Sequence, residues 1–247
     1  MHEEQDERLM ASTVRWWLLQ SGIVAALFVG ISACTSEEEP TVSTQQRDTV
    51  AQAREAALTA DRALAEQGDA EAQARLGHAY YAGDGTAQDF GHAVRWAQRA
   101  AEQGNALGQG VLAVAFNTGN GVAQDFGEAV RWARLASEQG DARGQTVLGS
   151  AYRNGRGGVE LDYEEAVHWT RLAAEQGDAS AQAFLGMMYV AGQGVERDYV
   201  SAYMWLTLGA SGPGIGGARE VLDTFLAKQM TPEEIAEAEA RARDWRE

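Results

Sequence analysis

The chain has 247 residues, a hydrophobic fraction of 45% and a formal net charge of −16. Such acidity repels phosphate backbones and excludes nucleic acid as a partner, and one cysteine, Cys34, excludes an intrachain disulfide. Gly is abundant at 28 and Pro scarce at 3, a balance that suits helices only where the glycines sit at helix ends or close contacts.

In chain order, the first nine residues are acidic, whereas Met10 opens a more conventional leader, MASTVR, and is the expected start of translation. An apolar run, WWLLQSGIVAALFVGISA, covers Trp16 to Ala33. It suits a signal-peptide core and would span a bilayer marginally. It ends in Ile31-Ser32-Ala33-Cys34, which resembles the bacterial lipobox. That resemblance implies cleavage before Cys34 and lipidation of its thiol; a single-pass anchor with an incidental cysteine is the alternative. In either case Arg15 before the run and Glu37-Glu38-Glu39 after it place the bulk of the chain outside the cytoplasm, facing the periplasm. Thr35, where an aspartate would signal inner-membrane retention, favours an outer-membrane lipoprotein by the same resemblance. Residues 1–33 are thus a signal peptide or anchor. Without their four acids and two bases the net charge is −14. Residues 34–50 are polar, without apolar periodicity, and read as a flexible tether.

From residue 51 the chain repeats itself. Ala93-Val94-Arg95-Trp96, Ala129-Val130-Arg131-Trp132, Ala166-Val167-His168-Trp169 and Ala202-Tyr203-Met204-Trp205 recur at Trp spacings of 36, 37 and 36. Leu76-Gly77, Leu112-Ala113, Leu148-Gly149 and Leu185-Gly186 recur in step, as do near-copies of Ala-Glu-Gln-Gly ending at Gly68, Gly104, Gly140 and Gly177. The extra residue falls at Gly158, in a Gly-rich loop. Within a copy, Ala72, Gln73, Leu76, Gly77 and Tyr80 follow a helical period. A Gly83-Asp84-Gly85 turn follows, and Asp89 offers an N-cap to a second helix with Ala93, Trp96, Ala97 and Ala100 on one face. Asp125 with Glu128, and Asp162 with Glu165, fit capping boxes.

This pattern resembles the Sel-1-like repeat family, relatives of the tetratricopeptide repeats. The resemblance implies an all-α, right-handed superhelical solenoid of antiparallel helix pairs, used as an interaction surface. A half-repeat at 51–68 precedes copies at about 69–104, 105–140, 141–177 and 178–212. Gly-rich residues 213–217 make a break before capping helices within 218–246. A lone helix pair cannot bury both its apolar faces, but stacked pairs form a continuous core.

In such arrays the first helix of each pair lines the concave face. The positions expected there are Glu71, Ala74, His78, Tyr81 and Ala82; Leu107, Gly110, Val114, Asn117 and Thr118; Arg143, Thr146, Ser150, Arg153 and Asn154; and Ser180, Ala183, Met187, Val190 and Ala191. Of these, Glu71, His78, Tyr81, Val114, Asn117, Arg143, Ser150, Arg153, Asn154, Met187 and Val190 are the candidate binding residues. The surface is mixed and weakly charged. It suits an extended peptide or another helix of a partner protein in the cell envelope, or else is a plain solvated face. Catalytic readings find little support. Among the four histidines no pair stands at i, i+4, so no metal site is expected. Gly212–Gly217 satisfies G-x-G-x-x-G but follows a helix, so no nucleotide cofactor is implied. Some family members are described as β-lactamases, and a hydrolase of that kind is the alternative to an adaptor. A structural lipoprotein without a dedicated partner is a third reading.

Overall fold

The computed structural model describes residues 44–210 and 216–246, all helices, turns and loops. The leader, Cys34 and most of the break at 213–217 lie outside the described residues. α1 (Thr44–Glu66) includes residues 44–50, which polarity alone assigns to the tether. That stretch holds no Gly or Pro and runs into the alanine-rich AQAREAALTA, so nothing in it stops a helix.

Four helix pairs follow: α2 (Ala70–Ala82) with α3 (Phe90–Glu102), α4 (Ala106–Thr118) with α5 (Phe126–Glu138), α6 (Ala142–Asn154) with α7 (Tyr163–Glu175), and α8 (Ala179–Ala191) with α9 (Tyr199–Gly209). Consecutive helices pack throughout, and α2, α4 and α6 also meet in sequence across the repeats. The punctuation is chemical. Asp69, Asn105, Asp141 and Asp178 cap the first helices. Asp89, Asp125, Asp162 and Asp198 cap the second, each side chain accepting backbone amides of the first turn. The first helices end in Gly83, Gly119, Gly155 and Gly192, all left-handed, with φ between 60° and 80°.

The expected capping boxes form only by half. Asp125 accepts from the Glu128 amide, but Glu128 turns to Arg131 at 2.7 Å and Glu165 accepts from Trp169 Nε1. The N-cap amides they would have taken already donate to Phe116 and Tyr152 carbonyls of the preceding helix, so no orphan donor awaits a glutamate. The reciprocal arrangement occurs instead at Thr231 and Glu234, where Thr231 N–H donates to Glu234 Oε2 at 2.8 Å and Glu234 N–H to Thr231 Oγ1 at 3.3 Å.

Leu76, Leu112, Leu148 and Leu185 are at most 2% exposed and centre the core with alanines of the second helices. Trp132 and Trp205 are buried, while Trp96 and Trp169 are half-buried against it. Small residues let helices nearly touch. A Cβ on Gly108 would stand 2.9 Å from the Ala97 carbonyl oxygen and 2.7 Å from Ala100 Cβ. Glutamines fasten the start of a repeat to its end. The buried Gln73, Gln109 and Gln145 accept from Gln103, Gln139 and Gln176 Nε2 at 2.8, 2.8 and 2.7 Å. Gln103 and Gln139 also donate to the Gly68 and Gly104 carbonyls at the junction before.

The array ends in α10 (Gly216–Glu220), a π-helical turn (Val221–Leu226), α11 (Ala227–Gln229) and α12 (Pro232–Arg246). α12 covers α9, burying Ala238 and Ala242 and setting Trp245 edge-on to Trp205 at 5.7 Å.

Candidate functional site

The first helices of all four repeats contribute to one open groove of about 750 Å³. α2 supplies His78 and Tyr81; α4 supplies Val111, Val114, Asn117 and Thr118. α6 supplies Ala142, Arg143, Thr146, Val147 and Ser150; the following turn and α8 supply Gln176, Gly177, Asp178, Ser180 and Phe184. Its lining mixes apolar side chains with hydroxyls, amides, Arg143 and Asp178.

The polar groups are held in defined roles. Thr118 Oγ1 donates to the Val114 carbonyl at 2.9 Å, so the 3.2 Å contact with Tyr81 is a bond from the tyrosine hydroxyl to the threonine. Asn120 Nδ2 in turn donates to Tyr81 at 3.1 Å. This network fixes the Tyr81 ring, which also meets Phe90 edge-on at 5.1 Å. Thr146 donates to the Ala142 carbonyl along its own helix. Arg143 Nη1 lies 3.3 Å from Asp141 Oδ2, and that carboxylate's other oxygen caps α6. Burial pushes the His78 imidazole below its ordinary range, and Arg143 on the far side of the groove adds to the effect against weaker help from Asp84 and Asp141. The shift favours the neutral imidazole over the imidazolium.

Six of the eleven candidates thus line one surface: His78, Tyr81, Val114, Asn117, Arg143 and Ser150. The other five lie elsewhere. Glu71 pairs with Arg75 at 2.9 Å beyond the groove. Asn154 Nδ2 donates to the Ser150 carbonyl at 2.7 Å. Arg153 is not among the lining residues but stands 5.1 Å over the ring of Phe184, which is. Met187 is exposed outside the groove and Val190 packs on the C-terminal core. Of the wider set, Ala74, Gly110 and Ala183 are buried between neighbouring helices, where only small side chains fit. A Cβ on Gly110 would strike the Asp141 carboxylate of the next repeat. Phe184, Gln176 and Asp178 carry no concave-face signal in the repeat pattern; they reach the groove from α8 and the junction before it.

Little here is built for covalent chemistry. Ser150 Oγ meets Asn154 Nδ2 at 3.4 Å rather than a basic nitrogen. Among the described residues no group of three His, Cys, Asp or Glu is placed to hold a metal, and no helix is long and apolar enough to cross a membrane.

The Sel1 repeat family matches at residues 70–105, 106–141, 142–178 and 179–212, starting one residue after the bounds read from the sequence. Among solved structures the chain is similar to a protective antigen of uropathogenic Escherichia coli strains that displays an SLR fold. The two are 36% identical with a TM-score of 0.56, over 76% of this chain and 40% of that one. A Sel1 repeat protein from Oxalobacter formigenes is 34% identical with a TM-score of 0.50, over 68% of this chain and 49% of that one. This chain therefore spans less than half the length of either. No curated protein matches it. Four matched copies over more than half of the chain, folded as four stacked helix pairs, make this protein a member of the Sel1 repeat family, whose arrays are generally non-catalytic scaffolds for protein–protein interaction.

Proposed function

We propose that this protein is an envelope-tethered adaptor that holds a segment of a partner protein in the groove formed by its first helices. The observation that carries the reading is the composition of that groove. Most leucines, alanines, glycines, glutamines and capping aspartates are consumed by the fold. The groove gathers Tyr81, Asn117, Thr146, Ser150 and Phe184 beside Val111, Val114 and Val147, alongside the fold residues Ala142, Gln176, Gly177 and Asp178. A rigid wall of helices with few fixed polar groups suits an extended peptide better than a small reacting molecule. The tether rests on the Ile31-Ser32-Ala33-Cys34 sequence, which would place the array at the periplasmic face of the outer membrane.

The test places a photo-crosslinking residue at Thr146 in the groove, or at Gln98 on the exposed face of α3, in the full chain expressed in its native envelope. A saturable adduct from Thr146 alone, competed by the unlabelled protein, is the expected result. Equal adducts from both positions, or none, would overturn groove binding. Lipid labelling of wild type against Cys34→Ala tests the tether separately: an acylated wild type and an unprocessed variant are expected, and an unlabelled, uncleaved chain in both refutes it.

A further inference from the structure

The charges around the groove are arranged unlike those of the rest of this acidic chain. Each nearby carboxylate is already engaged. Asp141 accepts the Arg143 and Gly144 amides and is only 10% exposed; Asp178 caps α8 through the Ala181 amide; Asp84 pairs with Arg54 at 2.9 Å; Glu71 pairs with Arg75. The cations are less committed. Arg143 holds Asp141 by one bond of 3.3 Å and keeps 31% of its side chain in solvent. Arg153 has no carboxylate partner among the described residues and stacks on Phe184, a groove residue. At physiological ionic strength the Debye length is about 8 Å, so these local charges, not the distant net charge, decide what the groove attracts.

Arg143, Thr146, Ser150 and Arg153 lie three to four residues apart along one face of α6. Ten residues at about 1.5 Å each separate the two arginines by roughly 15 Å along the axis. An extended peptide at about 3.3 Å per residue covers that distance in four to five residues, with alternate side chains facing the helix. We infer that the groove takes an extended acidic peptide from its partner, with carboxylates at positions i and i+4 meeting Arg143 and Arg153 and an apolar side chain at i+2 seated against Phe184 and Val147. This rests on the groove being the binding face. Guanidinium forks match carboxylates in geometry as well as charge, and the stacked Phe184 ring holds the Arg153 fork in plane. Thr146 and Ser150 lie between the arginines, where hydroxyls can serve the peptide backbone.

The experiment pans a displayed library of random dodecapeptides on the full chain in lipid nanodiscs, with Thr146→Trp as the counter-selection. Groove-dependent peptides enriched in Asp or Glu at i and i+4 around an apolar i+2 are expected. Groove-dependent peptides without that enrichment overturn the acidic inference while leaving groove binding standing. Peptides that bind Thr146→Trp equally well overturn both. As a second measurement that does not depend on a bulky replacement, a fluorescent copy of a selected peptide is titrated against Arg143→Gln and Arg153→Gln. Each variant is expected to weaken binding roughly five- to tenfold and to flatten its salt dependence. A change below about twofold in both, with unaltered circular dichroism, refutes the assigned contacts.

Discussion

Replacing Gln139 by Met removes a donor that two repeats depend on. Its Nε2 serves Gln109 Oε1 at 2.8 Å and the Gly104 carbonyl at 3.0 Å. Gln109 is only 4% exposed, so water cannot readily take the vacated place. A buried acceptor left without a donor costs about 1–3 kcal/mol, more than the bond itself contributes. Gln109→Met should cost less, about 0.5–1.5 kcal/mol, because it removes the buried carbonyl and leaves Gln139, which is exposed enough for water to serve. The double variant should then be close to Gln109→Met alone, giving a coupling of about 1 kcal/mol or more. Urea denaturation of the four proteins measures this, with a melting shift of about 2–4 °C per kcal/mol expected at this size. Hydrogen exchange should localise the loosening to α4, α5 and the Gly104 junction, since each repeat leans only on its neighbours. If the single losses simply add, or if Gln139→Met is no worse than Gln98→Met on the exposed face of α3, the glutamine pair is not a clasp that closes its repeat.

Two further outcomes follow from the same geometry. Gly104 and Gly157 both have positive φ, at 84° and 71°, but a Cβ on Gly104 meets nothing within 4 Å, whereas on Gly157 it would strike the Phe126 carbonyl oxygen. Gly104→Ala should cost about 1–2 kcal/mol for the left-handed backbone alone, and Gly157→Ala measurably more, as read from urea midpoints. His78 should make the array acid-sensitive. Its folded pKa lies below the ordinary value of 6.5, so the unfolded chain takes up the proton first. The stability is fully present above about 6.5 and falls as pH drops through the interval to the folded value. His78→Asn should flatten that part of the stability profile, and an unchanged slope between pH 7 and 5 would refute the assignment.

The fold was legible because its signals are redundant. Asp and Gly mark each helix end, and Leu76 and its three equivalents mark each core layer, so a single departure such as Ala113 for Gly leaves the register intact. What one copy of the motif does not reveal is contact between copies. Gln73 reads as another helix-face residue, yet it is bonded to Gln103 at the far end of its own repeat, and Gln103 also reaches the Gly68 carbonyl at the junction before. Gly110 sits at a concave-face position by helical period alone, but the Asp141 cap of the following repeat occupies the space a side chain would need. Phe184 and Asp178 enter the groove from the repeat that follows α6 and α7, and which neighbour a residue meets is not written in the period of any one helix. The glutamate half of the capping box failed because the preceding helix had already supplied the acceptor.

Comparing the copies within this one chain separates fold from function on physical grounds. The position after Leu-Gly carries His78, Val114, Ser150 and Met187, and the position after the aromatic carries Tyr81, Asn117, Arg153 and Val190. Eight residues at two equivalent repeat positions hold seven different side chains, with burial from half-buried to exposed. If packing dictated these positions, equal environments would select similar volumes, as they do at the leucines, all at most 2% exposed. Their diversity means the fold tolerates change there. The binding specificity of such a scaffold can then vary without disturbing the joints that hold it. Residues nearest the array's ends show the boundary of that freedom. Val190 is recruited to the core by the terminal helices, and Glu71 is taken by Arg75, which also binds Asp61 of α1 at 2.6 Å. His78 and Tyr81 of the first repeat and Phe184 of the fourth still reach the groove, but the middle repeats, flanked on both sides by copies of themselves, supply most of its lining.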